Sequence, residues 1–269
     1  MMRLKCGKSL KNMVAGVEPA SGGRGALDMK IIDTTLRDGE QQAGLAFGLE
    51  EKIRIARYLD SLGIYQIEAG VPAMGGEEKE SVRSIAALGL NSRISAWNRL
   101  NLEDIKHSMD CGVAVIHISV PSSDLHIAQK LKKTRAWVLA QLERCVSFTL
   151  NQGFEVTVGF EDATRADFAF LLELCSLCHG MGVTAVRYAD TLGIAIPGRI
   201  YQAVWALKQI SGLDIGIHAH NDFGMAVANS LAALAAGAAY VDCTLHGIGE
   251  RAGNCDYYKL VRLLPAYGY

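Results

Sequence analysis

The sequence predicts an α/β fold of the closed (β/α)8 kind, a TIM barrel, and three observations carry that expectation. Strand-like and helix-like segments alternate eight times between Met29 and Leu264. That span, about 240 residues, is the usual size of the fold. Ligand-type side chains also stand at the C-terminal end of nearly every predicted strand: Arg37 and Asp38, Glu68, Asn98 and Arg99, Ser119, Glu161 and Asp162, Asp190 and Thr191, His218 and His220. An open doubly wound sheet would gather only the ends beside its switch point, whereas a barrel gathers all eight around one mouth.

The elements follow in order. Residues 30–34 form a β-prone run, and 49–62 a helix with Ile55, Leu59 and Leu62 on one face, ended by Gly63. Strand 64–68, helix 77–88, strand 93–97 and helix 102–111 come next, then the β-branched strand 113–120, which stops at Pro121. In the second half the pattern repeats with helix 134–150, strand 154–159, helix 167–181 and strand 183–188. Pro197 suits the first turn of a helix running to about residue 210. Strand 214–219, the alanine-rich helix 223–236, strand 240–245 and a short helix 255–264 complete the series. Residues 1–28, with the glycine-rich stretch Ser21 to Gly25, read as a flexible leader, leaving 29–269 as one catalytic barrel domain.

Composition narrows the function. Half of the 269 residues are hydrophobic, enough for a large core. Lysine plus arginine (27) nearly cancels aspartate plus glutamate (28), so the net charge of −1 offers no general attraction to nucleic acid or anionic membrane. Seven cysteines, an odd number spread through predicted core elements, suit reduced intracellular thiols. No apolar run approaches the roughly 20 residues of a membrane span, and no secretory signal is recognisable. A cytoplasmic enzyme acting on small molecules is the expectation.

The chemistry concentrates in two strand ends. Asp33-Thr34-Thr35-Leu36-Arg37-Asp38-Gly39-Glu40-Gln41 packs charge into a stretch with neither helical nor strand periodicity. Ile215 to Asp222 repeats the form, and because residues two apart on a strand share a face, His218 and His220 can reach one ion while Ala219 points away. One hard oxygen from Asp38 and two imidazole nitrogens suit Mn²⁺, Mg²⁺ or Zn²⁺ and leave room for substrate. The competing structural reading pairs Asp38 with Arg37 and the histidines with backbone; a matching position at a second strand end weighs against it.

His246-Gly247-Ile248-Gly249-Glu250-Arg251-Ala252-Gly253-Asn254 superficially matches a nucleotide-binding Gly-x-Gly-x-x-Ala, but no later strand supplies an acidic ribose partner. The glycines instead allow a tight turn that brings Asn254 forward as a fourth oxygen ligand. Cys175-Ser176-Leu177-Cys178-His179 matches the haem-attachment pattern by accident, lying on a predicted barrel helix. Glu68 and Glu161 are candidate bases or supports for the ion and Arg37, against simple pairing with Arg37 or Arg165. His117 reads as a hydrogen-bonded core histidine.

On Thr35-Leu36-Arg37-Asp38-Gly39-Glu40-Gln41, His218-Ala219-His220-Asn221-Asp222 and Gly247 to Asn254, the chain resembles the isopropylmalate synthase and homocitrate synthase family. The group also holds citramalate synthases and hydroxymethylglutaryl-CoA lyases. Glu68-Ala69-Gly70-Val71-Pro72-Ala73-Met74-Gly75 and Glu161-Asp162-Ala163-Thr164-Arg165 most resemble the nitrogenase-associated homocitrate synthases. The resemblance implies acetyl-CoA and a 2-oxo acid as substrates and a divalent metal ion on Asp38, His218, His220 and Asn254. It further implies that Arg37 holds the keto oxygen, Gln41 and Glu68 shape the substrate site, Thr191 binds the 2-oxo acid carboxylate, and Glu161 assists proton transfer. Two features depart from the pattern: His246 stands where the synthases usually carry asparagine, and Trp97-Asn98-Arg99 is not the motif of lysine-pathway enzymes. The synthases also continue into a C-terminal helical region that this sequence lacks, so the expectation is an oligomeric split enzyme whose second polypeptide supplies that region.

Overall fold

The computed structural model describes residues 29–267; the expected leader, 1–28, lies outside them. Eight parallel strands close into a barrel in the order β1 to β8, with β8 pairing back to β1. The strands are β1 (Lys30–Asp33), β2 (Gln66–Glu68), β3 (Arg93–Arg99), β4 (Val115–Pro121), β5 (Glu155–Glu161), β6 (Ala185–Asp190), β7 (Asp214–Ala219) and β8 (Tyr240–Cys243). Around them run α1 (Leu49–Ser61), α2 (Gly76–Ala86), α3 (Leu102–Met109), α4 (Arg135–Asn151), α5 (Phe168–Gly180), α6 (Pro197–Ser211), α7 (Ala226–Ala235) and α8 (Tyr257–Leu263).

Each strand is read twice by its alternation. Ile67, Ile116, Ile118, Val158, Phe160, Ile215 and Ile217 are buried and belong to the single large apolar core. The intervening positions His117, Gly159, Arg187 and His218 line the cavity inside the barrel. This division explains why parallel strands look almost continuously apolar and why the polar exceptions are informative. Side-chain caps begin several helices: Asn101 on α3, Thr134 on α4, Asp167 on α5 and Asp256 on α8 each accept from a first-turn backbone N–H.

All eight predicted pairs are present, with shifts at the ends. β3 and β5 extend two residues beyond their expected stops, to Arg99 and Glu161, because polar side chains there face the barrel mouth rather than ending the pairing. α7 begins at Ala226 instead of 223: residues 221–225 form a turn in which Asn221 Oδ1 accepts from Ala226 N–H. Short helical turns at Pro72–Met74, His126–Leu131 and Ala163–Arg165 occupy loops at the mouth. The barrel's other end is closed by Lys30 over the Tyr65 and Tyr240 rings and by the Arg93–Glu155 pair.

Candidate active site

The site begins where β1 ends. Thr35 Oγ1 donates to Asp33 and accepts from Leu245 N–H, tying the turn after β1 to the end of β8. The turn delivers Arg37 and Asp38 to the mouth. Asp38 Oδ2 lies 3.5 Å from His218 Nε2 and 3.4 Å from His220 Nε2, so three potential ligand atoms stand within 4.8 Å of one another. The two imidazoles meet edge to face, 4.9 Å between centroids.

Asn254 arrives from the opposite side. An isolated antiparallel bridge pairs His220 with Asn254, and Asn221 N–H donates to Gly253 O, folding the loop after β8 back across the end of β7. Asn254 Nδ2 donates to Asp38 Oδ1 at 2.7 Å and to Ile248 O at 3.1 Å. Both partners are acceptors, which settles the amide orientation and leaves Asn254 Oδ1 buried without a hydrogen-bond partner. Gly249 permits the approach, since a Cβ there would overlap Asn254 Nδ2 and lie 2.8 Å from Asp38 Oδ1. An orphaned carbonyl oxygen, a carboxylate and two imidazoles form a donor set that fits a divalent cation.

Burial alone would raise the Asp38 carboxyl, but Arg37 and the two imidazoles outweigh it and hold it well below the usual carboxylate range. His218 is pushed up to about 9: burial opposes its charge, and the hydrogen bonds to Asp242 and Asp38 prevail. Glu68 is depressed despite complete burial, by Arg187 and then Arg37. Burial opposes the charge of Arg37, but Glu68 at 2.6 Å and Asp38 at 2.8 Å keep it protonated.

Most of these groups border a cavity of about 430 Å³, the scale of a small-molecule site. Arg37, Asp38, Gln41, Glu161, Thr191, His218 and His220 are all in its wall, as are Trp97, His117, Lys130, Arg187 and Arg251. Glu68 is not: it lies behind Arg37, joined to both Arg37 and Arg187. Asn254 touches Asp38 but lines a second depression beside α8, where His246 stacks 4.7 Å from the Tyr258 ring. Glu161 Oε1 holds Lys130 at 2.6 Å and His126 at 3.2 Å, not Arg165, which pairs with Asp162. His117 is hydrogen-bonded, as expected, through Nδ1 to Thr157 Oγ1, and it also floors the cavity. Burial and the nearby Arg187 hold its imidazole well below the usual range, hence neutral. Cys175 and Cys178 are buried in α5 and take part in the core.

Sequence reasoning missed Arg187 and Asp242. Both are charged residues inside otherwise apolar strands, and the signal was available: Arg187 has the same parity along its strand as Thr191, and an unpaired charge is not buried in a core. Arg251 was passed over as loop; it clamps Asp222 and donates to Thr191 O, joining the loops after β6, β7 and β8.

The HMGL-like family profile matches residues 28–268, nearly the whole chain. The chain belongs to the HMGL-like family. Within the family it groups with the homocitrate synthases, which are acyltransferases. It is 52% identical over 238 residues to the homocitrate synthase subunit alpha of Clostridium pasteurianum, covering 88% of each chain. It is 49% identical to 2-isopropylmalate synthase 2 of Caldanaerobacter subterraneus and 45% identical to homocitrate synthase 1 of a Nostoc species, and it spans 61% of the length of each. The HMG-CoA lyase of Bacillus subtilis superposes with a TM-score of 0.78 at 19% identity, over 88% of this chain and 86% of that one, a likeness of fold.

Proposed function

We propose that this chain carries the barrel active site of a homocitrate synthase. It joins the methyl carbon of acetyl-CoA to the keto carbon of 2-oxoglutarate and hydrolyses the thioester, giving (R)-homocitrate and CoA. The convergence of Asp38, His218 and His220 beside the Arg37 guanidinium in one cavity carries this reading. Asp38, His218, His220 and Asn254 would hold a divalent cation, Mn²⁺ or Mg²⁺, with Zn²⁺ also compatible with the two imidazoles. Bound there, the ion supplies Lewis-acid polarisation to a 2-oxo acid offering ketone and carboxylate oxygens.

The protein's own groups do the rest. Glu161, in the cavity wall, would accept a proton from the acetyl methyl carbon, with Lys130 steadying its Oε1. As the new carbon–carbon bond forms, negative charge gathers on the former keto oxygen, Arg37 donates a hydrogen bond to it from a position already set by Glu68, and the oxygen then takes up the proton released from Glu161 to become the product hydroxyl. Thr191 Oγ1 accepts from Asp162 N–H, so its own hydroxyl hydrogen is free for the 2-oxo acid carboxylate. Gln41 lies in the cavity wall, where it would shape the substrate site. Water then attacks the thioester carbonyl, and CoA leaves as the thiol.

A second polypeptide completes the enzyme in this reading, as part of a cytoplasmic oligomer. Its support is the Clostridium pasteurianum relative, named as a subunit and matched over 88% of its length. No helix among the described residues is long and apolar enough to cross a membrane.

The test is CoA release from acetyl-CoA with Mn²⁺ and a panel of 2-oxo acids, with and without the candidate partner chain. Turnover with 2-oxoglutarate only when both chains are present is expected. Full turnover by this chain alone removes the partner, preference for 2-oxoisovalerate or pyruvate moves the substrate, and cleavage of a hydroxyacyl-CoA without condensation moves the reaction to a lyase.

A further inference from the structure

Six ionisable side chains, from four strands and the turn after β1, close a ring beneath the cavity. From Asp38 Oδ2 it runs to Arg37 Nη1 at 2.8 Å and from Arg37 Nε to Glu68 Oε1 at 2.6 Å. Glu68 Oε2 meets Arg187 Nη1 at 3.0 Å, and Arg187 Nε meets Asp242 Oδ2 at 2.9 Å. The same Asp242 oxygen lies 2.9 Å from His218 Nδ1, and His218 Nε2 returns to Asp38 Oδ2 at 3.5 Å. Glu68, Arg187, Asp242 and His218 are all more than nine-tenths buried.

The ring turns on Arg187, whose strand partners are Gly159 on one side and Gly216 on the other, so neither partner sets a side chain of its own beside the guanidinium. That one guanidinium bridges the Glu68 and Asp242 carboxylates, its planar fork engaging both. Without that bridge each acid would be a buried charge with a missing partner.

We infer that Asp242 and Arg187 are positioning residues for the metal site: Asp242 holds the proton on His218 Nδ1 and turns Nε2 toward the ion, and Arg187 locks Asp242 to the Glu68–Arg37 pair. The inference rests on the metal reading above. His218 Nδ1 lies at hydrogen-bond distance from Asp242, 2.9 Å, where the carboxylate accepts, whereas Nε2 stands 3.5 Å from Asp38; in the neutral ring the proton therefore belongs on Nδ1 and the lone pair on Nε2. Arg37 is held through Glu68 by the same guanidinium, so the ion and the oxyanion donor share one support.

The test measures Mn²⁺ binding to the purified chain by calorimetry, and folding by circular dichroism. Asp242→Asn can present an amide N–H to His218 and is expected to lose ten- to hundredfold in Mn²⁺ affinity while keeping its secondary structure. Asp242→Glu, which retains a carboxylate acceptor, recovers part of that loss. Arg187→Lys, which keeps the charge but not the fork, loses affinity although it touches no ligand atom of the ion, and it carries the test if Asp242→Asn fails to fold. Unchanged affinity in a folded Asp242→Asn or Arg187→Lys chain overturns the inference. A wild-type chain that binds no Mn²⁺ overturns the metal reading instead.

Discussion

Asp33 shows how a single carboxyl can cost stability inside a barrel. It is fully buried at the end of β1, and burial raises it to about 7; the Thr35 hydrogen bonds pull the other way, and Asp242 adds to the rise. Between about pH 4 and 7 the folded chain therefore keeps a proton that the unfolded chain releases, so stability falls as pH rises through that window and levels off above it. Asp33→Asn removes this titration. Urea unfolding of the metal-free protein at pH 5 and pH 8 is expected to show a smaller drop for the variant than for the wild type; an equal drop assigns the pH dependence elsewhere. Asp38, five residues on, is the opposite case, because cationic neighbours keep it ionised and ready for a cation. The cluster of Asp38, His218 and His220 was legible in the sequence because these side chains stand at or just beyond strand ends. Arg187 and Asp242 stand out in the sequence only as charges within apolar strands; their partners were not legible, because only the register says which side chains meet across the interior, and register follows from closure of the sheet.

At the scale of the element, the loop after β8 is the most constrained part of the mouth. Gly247 N–H and Asn254 N–H close it onto Thr244 O and Gly247 O, while Glu250 N–H and the Asn254 amide reach Asp38 Oδ1. Gly249→Ala would drive a methyl group into the Asn254 amide. We expect the variant to keep its barrel by circular dichroism but to lose about tenfold or more in Mn²⁺ affinity; binding equal to wild type means that Asn254 is not a ligand. The glycines in this loop announced a tight turn in the sequence, and the turn is there. The short helical segment at His126–Leu131 gave no comparable warning, since six residues with one apolar pair, Ile127 and Leu131, are too few to establish a period, and its Lys130 reads as surface charge until Glu161 is seen beside it.

At the scale of the molecule, the eightfold alternation was fully legible: it depends only on local periodicity and on turn residues, both written in consecutive positions. Closure converts that local pattern into function. It sets β1 beside β8 and β7 beside β8, so that donors about 180 residues apart in sequence, Asp38 and the two histidines, occupy one place. Which small molecule the cavity takes was less legible, because its wall is assembled from several strands that meet only inside the barrel, His117 and Arg187 among the lining residues. The central claim is that Asp38, His218, His220 and Asn254 surround one divalent ion open to a chelating substrate. It is tested most directly by anomalous diffraction from crystals grown with Mn²⁺ and 2-oxoglutarate. One manganese peak bounded by those four side chains, with the ketone and carboxylate oxygens of the substrate completing its coordination, is the predicted result; manganese bound elsewhere, or 2-oxoglutarate seated in the cavity with no metal beside it, would contradict it.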